Sequence, residues 1–173
     1  WGCNPLYTDI PAAHFLMEAK YNGTKLVAIS PDYNPSAIHA NLWIPINVGT
    51  DAALALSLAH VIIKEKLYNE AFLKEQTDLS FLIKSDKKFL REKDLKGEGR
   101  EDIFYSFDLS TKSVKEMPKK SLGLDGMIPA LEGEFEVETS QGKIKVRPAF
   151  ELLKEKIEDY TPEKVSQITG IQP

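Results

Sequence analysis

Val48-Gly49-Thr50-Asp51 opens a long apolar run, Ala52 to Ile63, and an extended segment, Leu42-Trp43-Ile44-Pro45-Ile46, leads into it. Glycine lets the backbone turn tightly between the two. Thr50 or Asp51 can accept the orphan amides at the start of a helix. Ala52, Leu54, Ala55, Leu56, Leu58, Ala59, Val61, Ile62 and Ile63 cover nearly the whole circumference, which predicts a largely buried helix. Lys64, Glu65 and Lys66 mark its wet end. A polar strand-to-helix turn at the head of a buried helix is where an α/β protein presents a ligand site. The plainer alternative is that Asp51 only caps its helix.

Working towards the amino terminus, Pro31-Asp32-Tyr33-Asn34-Pro35 reads as a loop and Ser36 to Ala40 as a short helical turn. Lys25-Leu26-Val27-Ala28-Ile29-Ser30 is a continuous apolar run bounded by turn signals, which suits a strand buried on both faces of a parallel sheet. Before it, Thr8 or Asp9 can cap a helix that carries Pro11 in its first turn. Ile10, Ala13, Leu16 and Met17 supply its apolar face and Asn22-Gly23 its end. Trp1 to Pro5 reads as a loop. Helix, strand, short helix, strand, helix argues an α/β fold: a Rossmann-like parallel sheet with helices on both faces. The opening loop would ordinarily follow another strand, and none is present before it. The expectation is therefore a piece of a larger polypeptide whose first strand is missing.

Towards the carboxyl terminus, Asn69 can cap a helix reaching Gln76. From there the character changes. Leu79 to Ile83 and Ile103 to Phe107 look like strands separated by the charged Arg91 to Arg100, and Val114 starts a further short strand. Lys119 to Gly126 reads as a mobile loop. Glu134 to Glu138 and Lys143 to Arg147 alternate polar and apolar around Ser140-Gln141-Gly142, a hairpin with one wet face. Residues 79–148 read as a β-rich insertion in a single α/β dinucleotide-binding domain spanning 1–173. After Pro148, a helix shows Phe150, Leu153 and Ile157 on one face. A last helix has Thr161 as cap and Pro162 and Glu163 in its first turn, points Val165 and Ile168 inward, and ends at Gly170.

The totals narrow the function. The chain has 173 residues and a net charge of -4, with no dense basic cluster, which argues against sequence-independent nucleic-acid binding. No apolar run reaches about 18 residues, so no membrane span is expected. The single cysteine excludes an internal disulfide and a thiolate metal cage. No charged segment followed by an apolar one opens the chain, so any targeting signal would lie outside it. His14, His39 and His60 have no metal-ligand spacing, and His60 reads as a structural histidine on the central helix. Cys3 is tied to no histidine by any motif and reads as a bystander thiol. Neither the Rossmann nor the P-loop glycine fingerprint occurs.

What remains is the loops at three strand ends: Trp1 to Thr8, Ser30 to Asn34, and Gly49 to Asp51. In a parallel sheet all three fall outside the carboxyl ends of the strands. Free amides and hydroxyls there, with Asn4 and Thr8, suit a diphosphate. Asp32 suits a ribose diol. A carboxylate at Asp51 can accept from both N1 and N2 of a guanine, a match that adenine does not offer.

Trp1-Gly2-Cys3-Asn4-Pro5, Asn22-Gly23-Thr24-Lys25-Leu26-Val27-Ala28-Ile29-Ser30-Pro31-Asp32 and Gly49-Thr50-Asp51-Ala52-Ala53-Leu54-Ala55 resemble, in this order and spacing, the molybdopterin oxidoreductase (dimethyl-sulfoxide-reductase) family. Tyr160-Thr161-Pro162-Glu163 with Ile168-Thr169-Gly170 is a distant further marker. Thr8, Pro11, Ala13-His14-Phe15 and the stretch from Glu75 to Arg91 look most like the branch with respiratory nitrate, selenate and perchlorate reductases, dimethylsulfide dehydrogenase and ethylbenzene dehydrogenase.

The resemblance implies a domain of a large catalytic subunit. That subunit would hold molybdenum, or tungsten, between two molybdopterin guanine dinucleotides (the bis form) and pass electrons to an iron–sulfur partner subunit. Carried over by position, Gly2, Asn4 and Thr8 would line the diphosphate and pterin end, flanked by Trp1 and Cys3. Ser30, Pro31 and Asp32 would meet the ribose, with Tyr33 beside them, and Gly49 and Asp51 the guanosine. The metal ligand and the iron–sulfur cysteines would lie upstream, so the expectation is part of a cofactor site with no catalytic residue. The parent would be either associated with the cytoplasmic membrane or exported. The alternative from another class is a non-catalytic nucleotide-binding or interaction module.

Overall fold

The structure, a computed structural model, describes residues 1–118 and 123–173. The first half of the loop expected to be mobile lies outside the described residues. Its second half forms a turn at Asp125-Gly126, closed by the Met127 amide on the Leu124 carbonyl at 2.8 Å.

In chain order the elements begin with α1 (Pro5–Thr8), α2 (Ile10–Tyr21), β1 (Val27–Ser30), α3 (Pro35–Ile38), β2 (Leu42–Pro45) and α4 (Asp51–Lys64). They continue with α5 (Glu70–Gln76), a 3-10 turn (Asp78–Ser80), β3 (Leu82–Lys84), α6 (Glu92–Lys96), β4 (Tyr105–Asp108) and β5 (Ser113–Glu116). The last are β6 (Phe135–Thr139), β7 (Gly142–Pro148), α7 (Ala149–Ile157) and α8 (Pro162–Thr169). The α/β class read from the sequence is the one adopted. None of the described helices is long and apolar enough to cross a membrane. The chain divides into two compact units, Trp1–Val61 with Asp159–Pro173, and Ile62–Glu158.

In the first unit β1 and β2 pair in parallel, Val27 opposite Leu42 and Ser30 opposite Pro45. Their carboxyl ends therefore share one edge, and the turns after them leave from the same place. Asn34 caps α3 by accepting the Ala37 amide at 3.1 Å. α8 is capped by the Thr161 hydroxyl, has Pro162 first, and ends on Gly170 with φ +75°. Its carbonyl end is held by Asn47 of the β2–α4 turn, which donates its backbone amide to Thr169 at 2.9 Å and its side-chain amide to Ile168 at 3.1 Å. The far marker at the carboxyl end of the chain thus braces the turn before Asp51.

Three burial expectations for this unit are corrected. α4 is not largely buried: its buried residues are Ser57 and His60, while Leu58 and Ile62 are exposed. β1 is not covered on both faces, since Val27 is 45% exposed. Ile168 faces outward, and Thr169 takes the inner position beside Val165. For α4 the cause is size: a two-stranded sheet cannot cover a helix that is apolar all round.

The second unit is built on a three-stranded antiparallel sheet in the order β3-β7-β6 and a β4-β5 hairpin. Leu82, Leu90, Ile103, Tyr105, Val137 and Val146 form its buried cluster, and the rings of Phe107 and Phe135 stack 3.8 Å apart. Asn69 caps α5, as expected, through the Phe72 amide at 3.1 Å. The expected strand from Leu79 begins only at Leu82, because Thr77 accepts the Leu79 amide and starts a 3-10 turn first. The charged stretch after Arg91 is not a plain connector. It contains α6, nucleated by Asp94 reaching back to the Arg91 amide at 2.9 Å.

Candidate functional site

The loops singled out in the sequence converge at the carboxyl edge of β1 and β2. Trp1 donates its indole N–H to Asp51 Oδ1 at 2.6 Å, so the first loop meets the head of α4. Thr50, the other candidate cap, turns its hydroxyl back onto the Asn47 carbonyl at 2.7 Å. Asp51 stays exposed in the first turn of α4, where the helix dipole favours a carboxylate.

The first loop is also tied to the second. Ser36, at the start of α3, donates to Asn4 Oδ1 at 2.5 Å and accepts the Leu6 amide at 3.2 Å. Asn4 in turn starts α1: its carbonyl accepts the Tyr7 and Thr8 amides and the Thr8 hydroxyl, the last at 2.9 Å. Ser30 closes the turn after β1 by donating to the Asp32 carbonyl at 2.8 Å. Trp43 of β2 donates its indole N–H to the Ser30 carbonyl and hydroxyl, both at 3.2 Å, and meets the Tyr33 ring edge-on at 5.0 Å. Pro31 and Asp32 are exposed, and among the described residues no hydrogen bond joins the Asp32 carboxylate to Asn4 or Asp51.

Gly2 and Gly49 have φ of +76° and +79°, and nothing lies within 4 Å of where a Cβ would sit on either. Both glycines are exposed, so a ligand can approach either turn closely. Cys3 is an exposed free thiol. Trp1, Cys3 and Ser30 also line a cavity of about 460 Å³ between α2 and β1.

Of the predicted residues, the geometry joins Trp1 to Asp51 directly, Asn4 to the α3 start through Ser36, and Ser30 to β2 through Trp43. Ser36, Trp43 and Asn47 position the site and were not singled out in the sequence. Only the turn residues around Ser36 and Asn47 hinted at them. Among the described residues no group of three or more His, Cys, Asp or Glu is placed to hold a metal ion. The edge therefore offers exposed carboxylate acceptors at Asp32 and Asp51 beside two exposed glycine turns, a set suited to the hydrogen-bonding groups of a nucleotide.

A family model described as molybdopterin oxidoreductase matches residues 1–163. The alpha subunit of perchlorate reductase from Dechloromonas aromatica (strain RCB) is 48% identical, over 99% of this chain and 22% of that protein. The alpha subunit of dimethylsulfide dehydrogenase from Rhodovulum sulfidophilum is also 48% identical, over 98% of this chain and 19% of its own length. The alpha subunit of chlorate reductase from Ideonella dechloratans is 48% identical over the whole of this chain and 19% of that protein. The chain thus spans about a fifth of the length of these curated relatives.

Proposed function

This chain belongs to the molybdopterin oxidoreductase family, and we propose that it holds the nucleotide end of a molybdopterin guanine dinucleotide within the catalytic subunit of a molybdenum or tungsten oxidoreductase. The observation that carries this reading is the Trp1–Asp51 hydrogen bond, which brings the first and third loops together at the edge where β1 and β2 end.

The donor set fits the organic part of the group. Asp51 offers acceptors to the guanine N1–H and N2–H. Asp32 and Ser30 stand where a ribose diol can be met, with Pro31 shaping the turn and Tyr33 beside it. Gly2, Asn4 and Thr8 border the first turn, where a diphosphate would lie next to Trp1 and Cys3; the Thr8 donors are turned onto the Asn4 carbonyl, and Gly49 leaves space at the last turn. When bound, the group supplies redox chemistry at its metal, oxo transfer or hydroxylation. This chain's residues bind and orient its far end. The metal ligand, a second dinucleotide in the bis form and the iron–sulfur route to a partner subunit belong to other parts of the assembly. On this reading residues 1–173 are one dinucleotide-binding domain and 79–148 an insertion in it.

Thermal melting with nucleotides tests the proposal. GMP and GDP are expected to raise the melting temperature more than AMP and ADP do. An equal or reversed response favours the other reading, an interaction module whose Asp51 merely starts a helix. Metal analysis of the full-length protein, isolated anaerobically, tests the redox part independently.

A further inference from the structure

We propose that Ser36, at the start of α3, is a positioning residue that decides which end of the Asn4 side-chain amide faces the diphosphate: its hydroxyl holds the amide oxygen and leaves the NH2 to donate. The proposal deepens the nucleotide reading above and rests on it. Ser36 Oγ stands 2.5 Å from Asn4 Oδ1, across 32 residues of chain. Ser36 is buried, at 8% exposed. Asn34 caps α3 by accepting the Ala37 amide, and Pro35 fills its first position, so the hydroxyl projects from a fixed backbone.

The direction of the amide follows from the Leu6 N–H. A peptide N–H donates and does not accept. It reaches Ser36 Oγ at 3.2 Å and takes one of that oxygen's two lone pairs. The hydroxyl carries one proton, and among the described residues its acceptor is Asn4. Turned over, the Asn4 amide would donate to Ser36 as well. The hydroxyl would then receive two donors while its own proton lacked an acceptor in a buried place, which is unfavourable. The relay therefore runs one way, from the Leu6 N–H to Ser36 and from the Ser36 O–H to Asn4. It leaves two N–H donors on Asn4 Nδ2.

Of Trp1, Asn4 and Thr8, Asn4 is the one that keeps side-chain donors for a phosphate. Trp1 gives its indole N–H to Asp51, and the Thr8 amide and hydroxyl are both turned onto the Asn4 carbonyl. Among the described residues no hydrogen bond takes the Asn4 NH2 group. Cys3, Pro5 and Leu6 line the cavity beside β1 and Asn4, between them, does not, so its side chain is turned away from that cavity. Phosphate oxygens are acceptors, so an amide presented NH2-first attracts them and one presented oxygen-first repels them. Ser36 thus acts on the diphosphate through Asn4, without touching it.

Calorimetric titration of the full-length subunit, prepared free of cofactor, with guanosine and GDP tests it. GDP is expected to bind the unaltered protein more tightly than guanosine. Ser36→Ala should leave guanosine affinity within about twofold and weaken GDP about tenfold, because the released amide can turn its oxygen to the phosphates. Asn4→Asp keeps an acceptor for Ser36 and puts a carboxylate oxygen where the NH2 was, so GDP should lose its whole advantage over guanosine. Equal weakening of guanosine and GDP by Ser36→Ala would make the hydroxyl a structural brace only and overturn the proposal. So would undiminished GDP affinity in either variant, or no GDP advantage in the unaltered protein. The preference for GDP over ADP, which reads Asp51, is measured alongside. Its absence from the unaltered protein removes the nucleotide reading and this proposal together, whereas its presence beside any of those results overturns this proposal alone.

Discussion

Trp1 donates its indole N–H to the Asp51 carboxylate at 2.6 Å, across fifty residues of chain. The indole is a donor with no acceptor, so it holds Asp51 as an acceptor. It occupies one lone pair of Oδ1 and leaves the second lone pair of Oδ1 and both of Oδ2 for further donors. The same tryptophan is a wall of the cavity beside β1, so one side chain both fixes the carboxylate and borders the sheet edge.

Asp51→Asn follows from that arrangement. The amide replaces one of two acceptor oxygens with a donor, and guanine presents two donors. The GMP preference is expected to fall to the AMP level, a loss of about 1.5–3 kcal/mol, typical of a hydrogen bond to a charged group. Trp1→Phe keeps an aromatic ring and removes only the N–H, so a smaller, severalfold weakening is expected. Calorimetric titration of both variants with GMP and AMP checks this, and a full GMP preference in D51N would remove Asp51 from the nucleotide site.

The local devices were legible because each is written in a few adjacent residues. The Asn69 cap, the Thr161-Pro162 start, the Gly170 stop and the hairpin around Ser140-Gln141 all appear where the sequence puts them. Parallel pairing of β1 and β2 followed from two short apolar runs separated by a turn and a helix. What joins the site is not local. Asn4 meets Ser36 from 32 residues away, and Asn47 meets Ile168 from 121 away, through polar side chains with no periodic signature. The burial of α4 misled for another reason. An all-round apolar helix states what it needs to cover, and the covering surface is not encoded in the helix itself.

Gly170 tests the brace behind the β2–α4 turn. It adopts φ +75°, and a Cβ there would stand 3.2 Å from the Asn47 side-chain amide. Gly23 has φ +92° with nothing within 4 Å. Gly23→Ala should therefore lose only the left-handed penalty, about 1–2 kcal/mol, and Gly170→Ala clearly more, because Asn47 must also move. Urea unfolding of the two variants compares them directly, and equal losses would show that Asn47 gives way freely.

Leu82 tests the core of the second unit. It is fully buried on β3 and packs in the cluster with Leu90 and Val146. Leu82→Ala is expected to destabilise by about 2–5 kcal/mol, the range for a truncated core leucine. Leu58→Ala on α4, where the side chain is 46% exposed, should change stability by less than about 1 kcal/mol in this chain. Comparable losses from both in denaturant titrations would mean that α4 is covered after all.

Asp108 gives the pH dependence. It is fully buried on β4, and Lys115 reaches its Oδ2 at 2.7 Å. Its carboxylate also accepts the Ser110 amide and hydroxyl, the Thr111 hydroxyl and the Ile128 amide. The Lys115 ammonium, followed by the Ser110, Ile128 and Thr111 donors, holds the carboxyl far below its ordinary 3.8, while burial pulls the other way. A carboxyl lowered in the folded state stabilises the fold fully above its unfolded value and loses that contribution as pH falls below it. The stability gap between the unaltered protein and Asp108→Asn should therefore be constant from neutral pH down to about 5 and narrow below about 4. Urea midpoints of both proteins across that range measure it. A gap that stays flat through pH 3 would mean that Asp108 holds the β4–β5 turn by hydrogen bonding alone, with no contribution from its charge.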